Sequence, residues 1–352
     1  TYHFSQGLLS EAIEDGRQAL RVLNQEIPND TAELLLLKKD EIDWLSSNIK
    51  SIEDLKYLNV MEYETIELCM NILVNMGIPA FVSRQDMFGV VTLRMVRLSF
   101  LYGNCDVSPY GYMLCGMIIG AGLRHYEEGY RYGQVAIALQ EKFDNKAIEC
   151  KLLRVYGAYV ASWVQPHEQT LKILHKAYMS GVENGDFSYS AYCVNHIFTR
   201  EFLSSISLDI LEQKAVSYVD FITESKEPYI LEIQYLFINI VKCLRGNTYA
   251  LNSLSSETFD EHKVVEDLIR INFKTLLAYY YIYKLQICYI HEYYGEAVEH
   301  AINAKEYLEN IKGNILETEW TFYYALSVFK QSSALVEQQD IDLLSGFEKS
   351  FE

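Results

Sequence analysis

Tyr126-Glu-Glu-Gly129-Tyr-Arg-Tyr-Gly133-Gln-Val-Ala136-Ile-Ala-Leu139 is the stretch whose reading decides the fold. Gly129, Gly133 and Ala136 stand at i, i+4 and i+7, which puts three small side chains on one face of an α-helix. A face without bulk lets a second helix come close. The same device recurs towards both ends of the chain. Leu9-Ser-Glu-Ala12 is followed by Gly16 and Ala19, and Tyr294-Gly-Glu-Ala297 by Ala301 and Ala304.

Small faces repeated in this way follow the logic of the second helix of a tetratricopeptide repeat, or TPR. The full first-helix set of that repeat is not found. On these residues alone, an alanine/glycine face in an unrelated bundle stays open. Elsewhere the apolar spacing is also helical. Leu171, Leu174, Ala177 and Tyr178 form one stripe, and Ile230, Ile233, Leu236, Phe237 and Ile240 another. Ser108-Pro109, Gln165-Pro166 and Glu227-Pro228 read as helix starts, where a missing N–H costs nothing. Gly103, Gly185, Gly246 and Gly313 read as helix ends. Pro28 and Pro79 are read as following helices and stopping them. The expectation is an all-α chain: one TPR-like α-α superhelix of antiparallel pairs over 1–352, about fourteen helices. The Ser- and Asn-rich segment 248–257 is the one weak candidate for a linker.

Composition narrows the function. The chain has 48 acidic against 30 basic residues, a net charge of −18. No Lys/Arg cluster is present to neutralise phosphates, so nucleic acid is excluded as a partner, and an anionic membrane surface is disfavoured. The longest uncharged stretch, 107–123, contains Ser108, Pro109 and four glycines and is short for a membrane span. Residues 2–6 lack the basic start and apolar run of a leader. Seven scattered cysteines without C-x-x-C spacing read as reduced, buried apolar residues. A cytoplasmic location is expected. The first residue is not Met, and the chain is expected to be a piece of a larger multidomain protein.

No catalytic centre, metal site or cofactor site can be assigned. His291-Glu292 begins like H-E-x-x-H, but Gly295 replaces the second His. Asp40-Glu41-Ile42-Asp43 lacks a second acidic cluster and reads as a solvated helix face beside Lys38 and Lys39. Gly116, Gly120 and Gly122 lack the G-K-[ST] of a phosphate loop and read as packing glycines. A triad scattered through the sequence stays open. The candidate ligand-binding residues are the arginines in apolar helices with their aromatic and polar neighbours. Arg94 and Arg97 share a face at i, i+3; Arg154 and Arg200 lie in similar surroundings. His196 stands one turn before Arg200, and Tyr112, Tyr156 and Trp163 are candidate walls of a groove. Buried arginine needs a counter-charge, from an acid such as Glu149, Glu201 or Glu232, or from a ligand. The aromatic run Tyr279, Tyr280, Tyr281 and Tyr283 reads as packing.

The block 101–143 carries a resemblance. It runs Leu-Tyr-Gly-Asn104, then Ser108-Pro-Tyr-Gly-Tyr-Met-Leu-Cys-Gly116, then the stretch quoted first. It resembles the TPR-like helical region that follows the predicted AAA/STAND ATPase domain in large hybrid serine/threonine–histidine sensor kinases. Leu23-Asn-Gln-Glu-Ile-Pro28 resembles that region's L-G-x-x-x-P helix end, with Asn24 in place of Gly. Ser51-Ile-Glu-Asp-Leu55, Gly181-Val-Glu-Asn-Gly-Asp-Phe187 and Gly295-Glu-Ala-Val298 resemble further pieces of it. The resemblance implies a non-catalytic sensor or scaffold module. It would bind a protein segment, peptide or small molecule in its groove and relay that event to neighbouring ATPase and kinase domains. No functional residue motif is carried over with it. A freestanding TPR-like adaptor is the second expectation, and a helical enzyme with a scattered active site the third.

Overall fold

The computed structural model describes residues 9–204 and 206–332. Residues 2–6, read above for a leader, lie outside the described residues. Among the described residues there are sixteen α-helices and no strand, only isolated bridges. The chain divides between Tyr189 and Ser190 into two compact units.

The first unit holds α1 (Leu9–Val22), α2 (Thr31–Asn48), α3 (Glu64–Ser83), α4 (Gln85–Tyr102), α5 (Ser108–Met117), α6 (Tyr126–Phe143), α7 (Lys146–Val155) and α8 (His167–Asn184). A 3-10 turn, Glu53–Tyr57, lies between α2 and α3. Helices α5 and α7 run directly into π-helical turns at Ile118–Gly122 and Tyr156–Val160. Helix α1 packs on α3, α2 on α4, α3 on α4, α4 on α5, α5 on both α6 and α7, and α7 on α8. Local chemistry sets several starts. The Asp30 carboxylate accepts from the N–H groups of Ala32 and Glu33, and the Asn145 side chain accepts from that of Ala147. At the end of α8, Gly185 adopts φ +77°, the left-handed position that suits a residue without Cβ.

The glycines of the opening stretch are packed against backbone. A Cβ on Gly129 would lie 2.5 Å from the carbonyl oxygen of Gly116 and 2.5 Å from Cα of Gly120. A Cβ on Gly133 would lie 2.8 Å from Val160. Helix α6 therefore lies directly on α5 and its π turn. Gly116 and Gly120 serve helix packing rather than a phosphate loop.

Pro79 corrects the sequence reading. It does not stop a helix; α3 runs four residues past it to Ser83. Proline removes one helical hydrogen bond. The surrounding turn is held by burial of Ile78, Pro79 and Ala80, and the Ser83 hydroxyl donates to the Pro79 carbonyl at 2.7 Å. Helix α3 is long and apolar enough to cross a membrane, and half of its apolar window is buried inside the chain.

Helix α9 (Phe187–Phe202) crosses the boundary. The second unit continues with α10 (Leu208–Ser217), α11 (Val219–Glu224), α12 (Pro228–Leu244), α13 (Glu261–Arg270), α14 (Lys274–Ile290), α15 (Tyr294–Lys305) and α16 (Leu316–Ser332). Helix α14 is its centre and touches α12, α13, α15 and α16. Tyr279, Tyr280 and Tyr283 are buried there, and the Phe237 ring stacks on Phe198 with centroids 4.0 Å apart. Ala297, Ala301 and Ala304 are fully buried, and Trp320 Nε1 donates to the Ala301 carbonyl at 2.9 Å. All seven cysteines are buried, and none is in a disulfide.

The segment 248–257 is irregular but closely held inside the second unit. Leu254 is fully buried. The Glu261 carboxylate accepts from the Ser253 hydroxyl at 2.9 Å and the Leu254 N–H at 2.8 Å. The same carboxylate pairs with Lys284 at 2.7 Å and accepts from the Tyr280 hydroxyl at 2.7 Å. Lys284 also donates to the Asn252 carbonyl. Burial pushes the Glu261 carboxyl up, but the Lys284 charge and the hydrogen bonds outweigh it and hold it below its ordinary value.

His300 packs against Tyr280 and Tyr281 beside this cluster. Burial first, and then the Lys284 charge, lower its pKa to about 4 from an ordinary 6.5. The unfolded chain therefore takes up a proton near pH 6.5, while the folded one stays neutral down to about 4. Stability is fully present above pH 6.5 and falls through that window by about 3 kcal/mol. The depressed Glu261 adds loss only below its unfolded value of 4.5. The measured melting temperature of His300→Gln should vary less than that of the wild type between pH 6.5 and 4. Parallel profiles would show that His300 titrates normally in the fold.

Candidate functional site

The arginine pair sits on α4 and points at α2. Arg94 Nε donates to Glu41 Oε1 at 2.7 Å, and Arg97 reaches Glu41 Oε2 at 3.2 Å. Glu41 is 0% exposed. Arg94 also donates to the Gln25 side chain at 3.3 Å, and the Arg97 guanidinium lies 4.6 Å from the Trp44 ring. The acid serving this pair is Glu41 and not Glu149, Glu201 or Glu232. The solvated reading of the Asp40–Asp43 run holds for Asp40 and Asp43, which are exposed, and fails for Glu41. The periodicity explains the failure: Glu41, Leu34 and Leu45 fall on the face of α2 that packs on α4, and all three are buried.

Tyr112 is fully buried, and its hydroxyl donates to Asn104 Oδ1 at 2.9 Å. Asn104 in turn donates to the Leu55 carbonyl at 2.7 Å, and its backbone pairs with Asn59 and Met61. Gly103, at φ +97°, would bring a Cβ to 2.4 Å from the Asn59 carbonyl oxygen. The Leu-Tyr-Gly-Asn104 motif is thus a junction. It ties the 3-10 turn and the segment after it to the α4–α5 corner.

Tyr156 and Trp163 join an aromatic layer on α6. Trp163 stacks on Tyr126 at 4.9 Å, and Tyr156 on Tyr130 at 6.3 Å. The Tyr156 hydroxyl accepts from Gln134 at 2.5 Å. Arg154 lies 5.8 Å from the Tyr189 ring and borders a cavity of about 20 Å³, room for a water and not for a ligand. His196 and Arg200 lie one turn apart on α9 in the second unit, both buried. Burial lowers the Arg200 guanidinium to about 10.

A cavity lies beside the arginine pair rather than on it. It measures about 360 Å³ and opens between α2, α4, the π turn after α5, and α6. Ile42, Leu45, Ile49, Ile52, Leu93, Ile118, Ile119 and Leu123 make its aliphatic wall; Lys38, Ser46, His125 and Glu128 are polar. This volume lies in the range of small-molecule sites. None of Arg94, Arg97, Tyr112, Arg154, Tyr156 or Trp163 lines it. The π turn matters here. Two of its consecutive side chains, Ile118 and Ile119, line the cavity, and π turns recur at functional sites. Burial pushes the Cys115 thiol up to about 12, so it is an inert wall. Sequence reasoning missed these residues. Their one signal was the stripe Lys38, Ile42, Leu45 and Ile49 at i, i+4, i+7 and i+11.

Among the described residues, no group of three or more His, Cys, Asp or Glu is placed to hold a metal ion. No protein-family model matches the chain. Over 161 residues, 45% of the chain, it is 20% identical to hybrid signal transduction histidine kinase G of Dictyostelium discoideum, and that stretch covers 5% of the kinase's length. The chain is thus an all-helical protein with a distant likeness, over part of its length, to a hybrid signal-transduction kinase.

Proposed function

We propose that this chain is a non-catalytic, TPR-like receiver module of a large cytoplasmic signalling kinase. It takes a small ligand or a protein segment and passes the event to neighbouring ATPase and kinase segments of the same polypeptide. The observation that carries this reading is the likeness to a hybrid histidine kinase, confined to 5% of that protein: a short stretch of a long multidomain chain. Two structural features support it. Helices pack on both the next helix and the one after, as in α5 with α6 and α7, and α14 with α15 and α16; stacked helical repeats do the same. The cavity in the first unit supplies a place for a ligand.

The test is the transcript that encodes the chain, read outward in both directions. Histidine-kinase and receiver segments in the same reading frame are the expected result. A frame without any kinase or ATPase segment would sink the proposal and leave the freestanding adaptor.

A further inference from the structure

The cavity between α2, α4, the π turn and α6 has a largely aliphatic wall and an ammonium without a partner. Its apolar lining is mostly isoleucine and leucine, with Cys115 and the rings of Tyr132 and His125 among them. Burial raises the Tyr132 hydroxyl's pKa, so that group stays neutral. Walls that are mainly branched aliphatic suit a flexible alkyl chain better than a planar ring system. The lining stripe on α2 runs from Lys38 to Ile49 on one face, a span of about 16 Å along the helix axis.

Lys38 stands at one end of that stripe. Gly89 on α4 leaves room for it: a Cβ there would lie 2.9 Å from Lys38 Cε and 3.3 Å from Nζ. Among the described residues, Lys38 makes no ion pair and no hydrogen bond. Glu41, Asp40 and Asp43 are engaged or exposed, and Glu128 lines the cavity beside His125. Glu41 is taken by Arg94 and Arg97, Glu128 lies 3.6 Å from His125 Nδ1, and Asp40 and Asp43 are exposed. In a chain of net charge −18, a lone ammonium held against an apolar slot selects an anion with an apolar body.

We propose that this cavity binds an aliphatic carboxylate of the fatty-acid class, its alkyl chain along Ile42, Leu45, Ile49, Leu93 and Ile119 and its carboxylate on Lys38 Nζ. The assignment rests on reading the chain as a ligand-receiving module and names the ligand's chemistry.

The experiment is isothermal titration of the 352-residue chain with three twelve-carbon probes below their micellar concentrations: dodecanoate, dodecanol and dodecyltrimethylammonium. Dodecanoate is expected to bind, with dodecanol about tenfold weaker and the cation weaker still. Lys38→Met keeps the aliphatic stem and should lose about tenfold for dodecanoate while leaving dodecanol unchanged. Ile42→Trp, at an exposed position of the wall, should weaken both dodecanoate and dodecanol without unfolding the chain. Equal affinity for dodecanoate and dodecanol, preference for the cation, no effect of either substitution, or no binding at all would each overturn the assignment. These outcomes are separate from the signalling reading. Dodecanoate binding by a chain whose transcript lacks kinase segments keeps the ligand and removes the kinase. Kinase segments in the transcript without dodecanoate binding do the reverse.

Discussion

Glu41→Ala should unfold the first unit more easily than any other single truncation on α2. Glu41 is 0% exposed and receives both Arg94 and Arg97. Its loss leaves two neighbouring guanidinium groups of α4 without their counter-charge in a low-dielectric seam. Their side chains keep only 14% and 31% of their exposure, so water replaces the carboxylate poorly. Removing one member of such a buried cluster costs about 3 kcal/mol, or on the order of 10 °C in melting temperature for a unit of this size. The matching control removes all three charges. Glu41→Leu with Arg94→Met and Arg97→Leu should melt near the wild type, because no orphaned ion is left. Glu41→Ala melting alongside the wild type would show that solvent satisfies both arginines and that the triad contributes nothing net.

The second large effect belongs to Gly129→Ala. Alanine is the better helix former by about 1 kcal/mol, and on an isolated α6 the change would stabilise. In the fold the new methyl meets the Gly116 carbonyl oxygen and Gly120 Cα at 2.5 Å. Both are backbone atoms of α5 and its π turn and cannot rotate away. The helices must separate, with a net cost of about 3 kcal/mol. The comparison that isolates the cause is Gly16→Ala. There the obstructing atoms are the Met76 side chain, which can change rotamer. A circular-dichroism melt should show the loss at position 129 and little at position 16. Equal melting temperatures at both positions would mean that α6 slides without penalty. The substitution also reaches the candidate site, because Ile118 and Ile119 on one side and Glu128 and Tyr132 on the other line the cavity.

Sequence alone settled the helical class and the close approach of particular helices. Both are written in local spacing. Three small residues at i, i+4 and i+7 must share a face whatever surrounds them. Glycines after apolar runs end helices because few other residues tolerate positive φ. The same local logic failed at Pro79, where burial of its neighbours outweighed one lost hydrogen bond. At 248–257 composition offered only a weak linker candidate. There a buried ion pair between Glu261 and Lys284, partners far apart in sequence, gathers the loop.

The candidate site was legible only in fragments. Arg94 and Arg97 stood out because charge in an apolar helix demands an answer, but the answering residue was hidden inside a run that reads as solvated. Which face of α2 turns inward is decided by its contact with α4, a tertiary fact with no local signature. Tyr112 was read as a candidate groove wall, and its tie to Asn104 had no local signature. The cavity itself was illegible, since an empty volume belongs to no residue. It exists because Gly89, the π turn and the stripe on α2 come together from positions 38 to 132. Local periodicity fixed which residues are helical and which faces are small; long-range packing decided which charges meet and where room is left for a ligand.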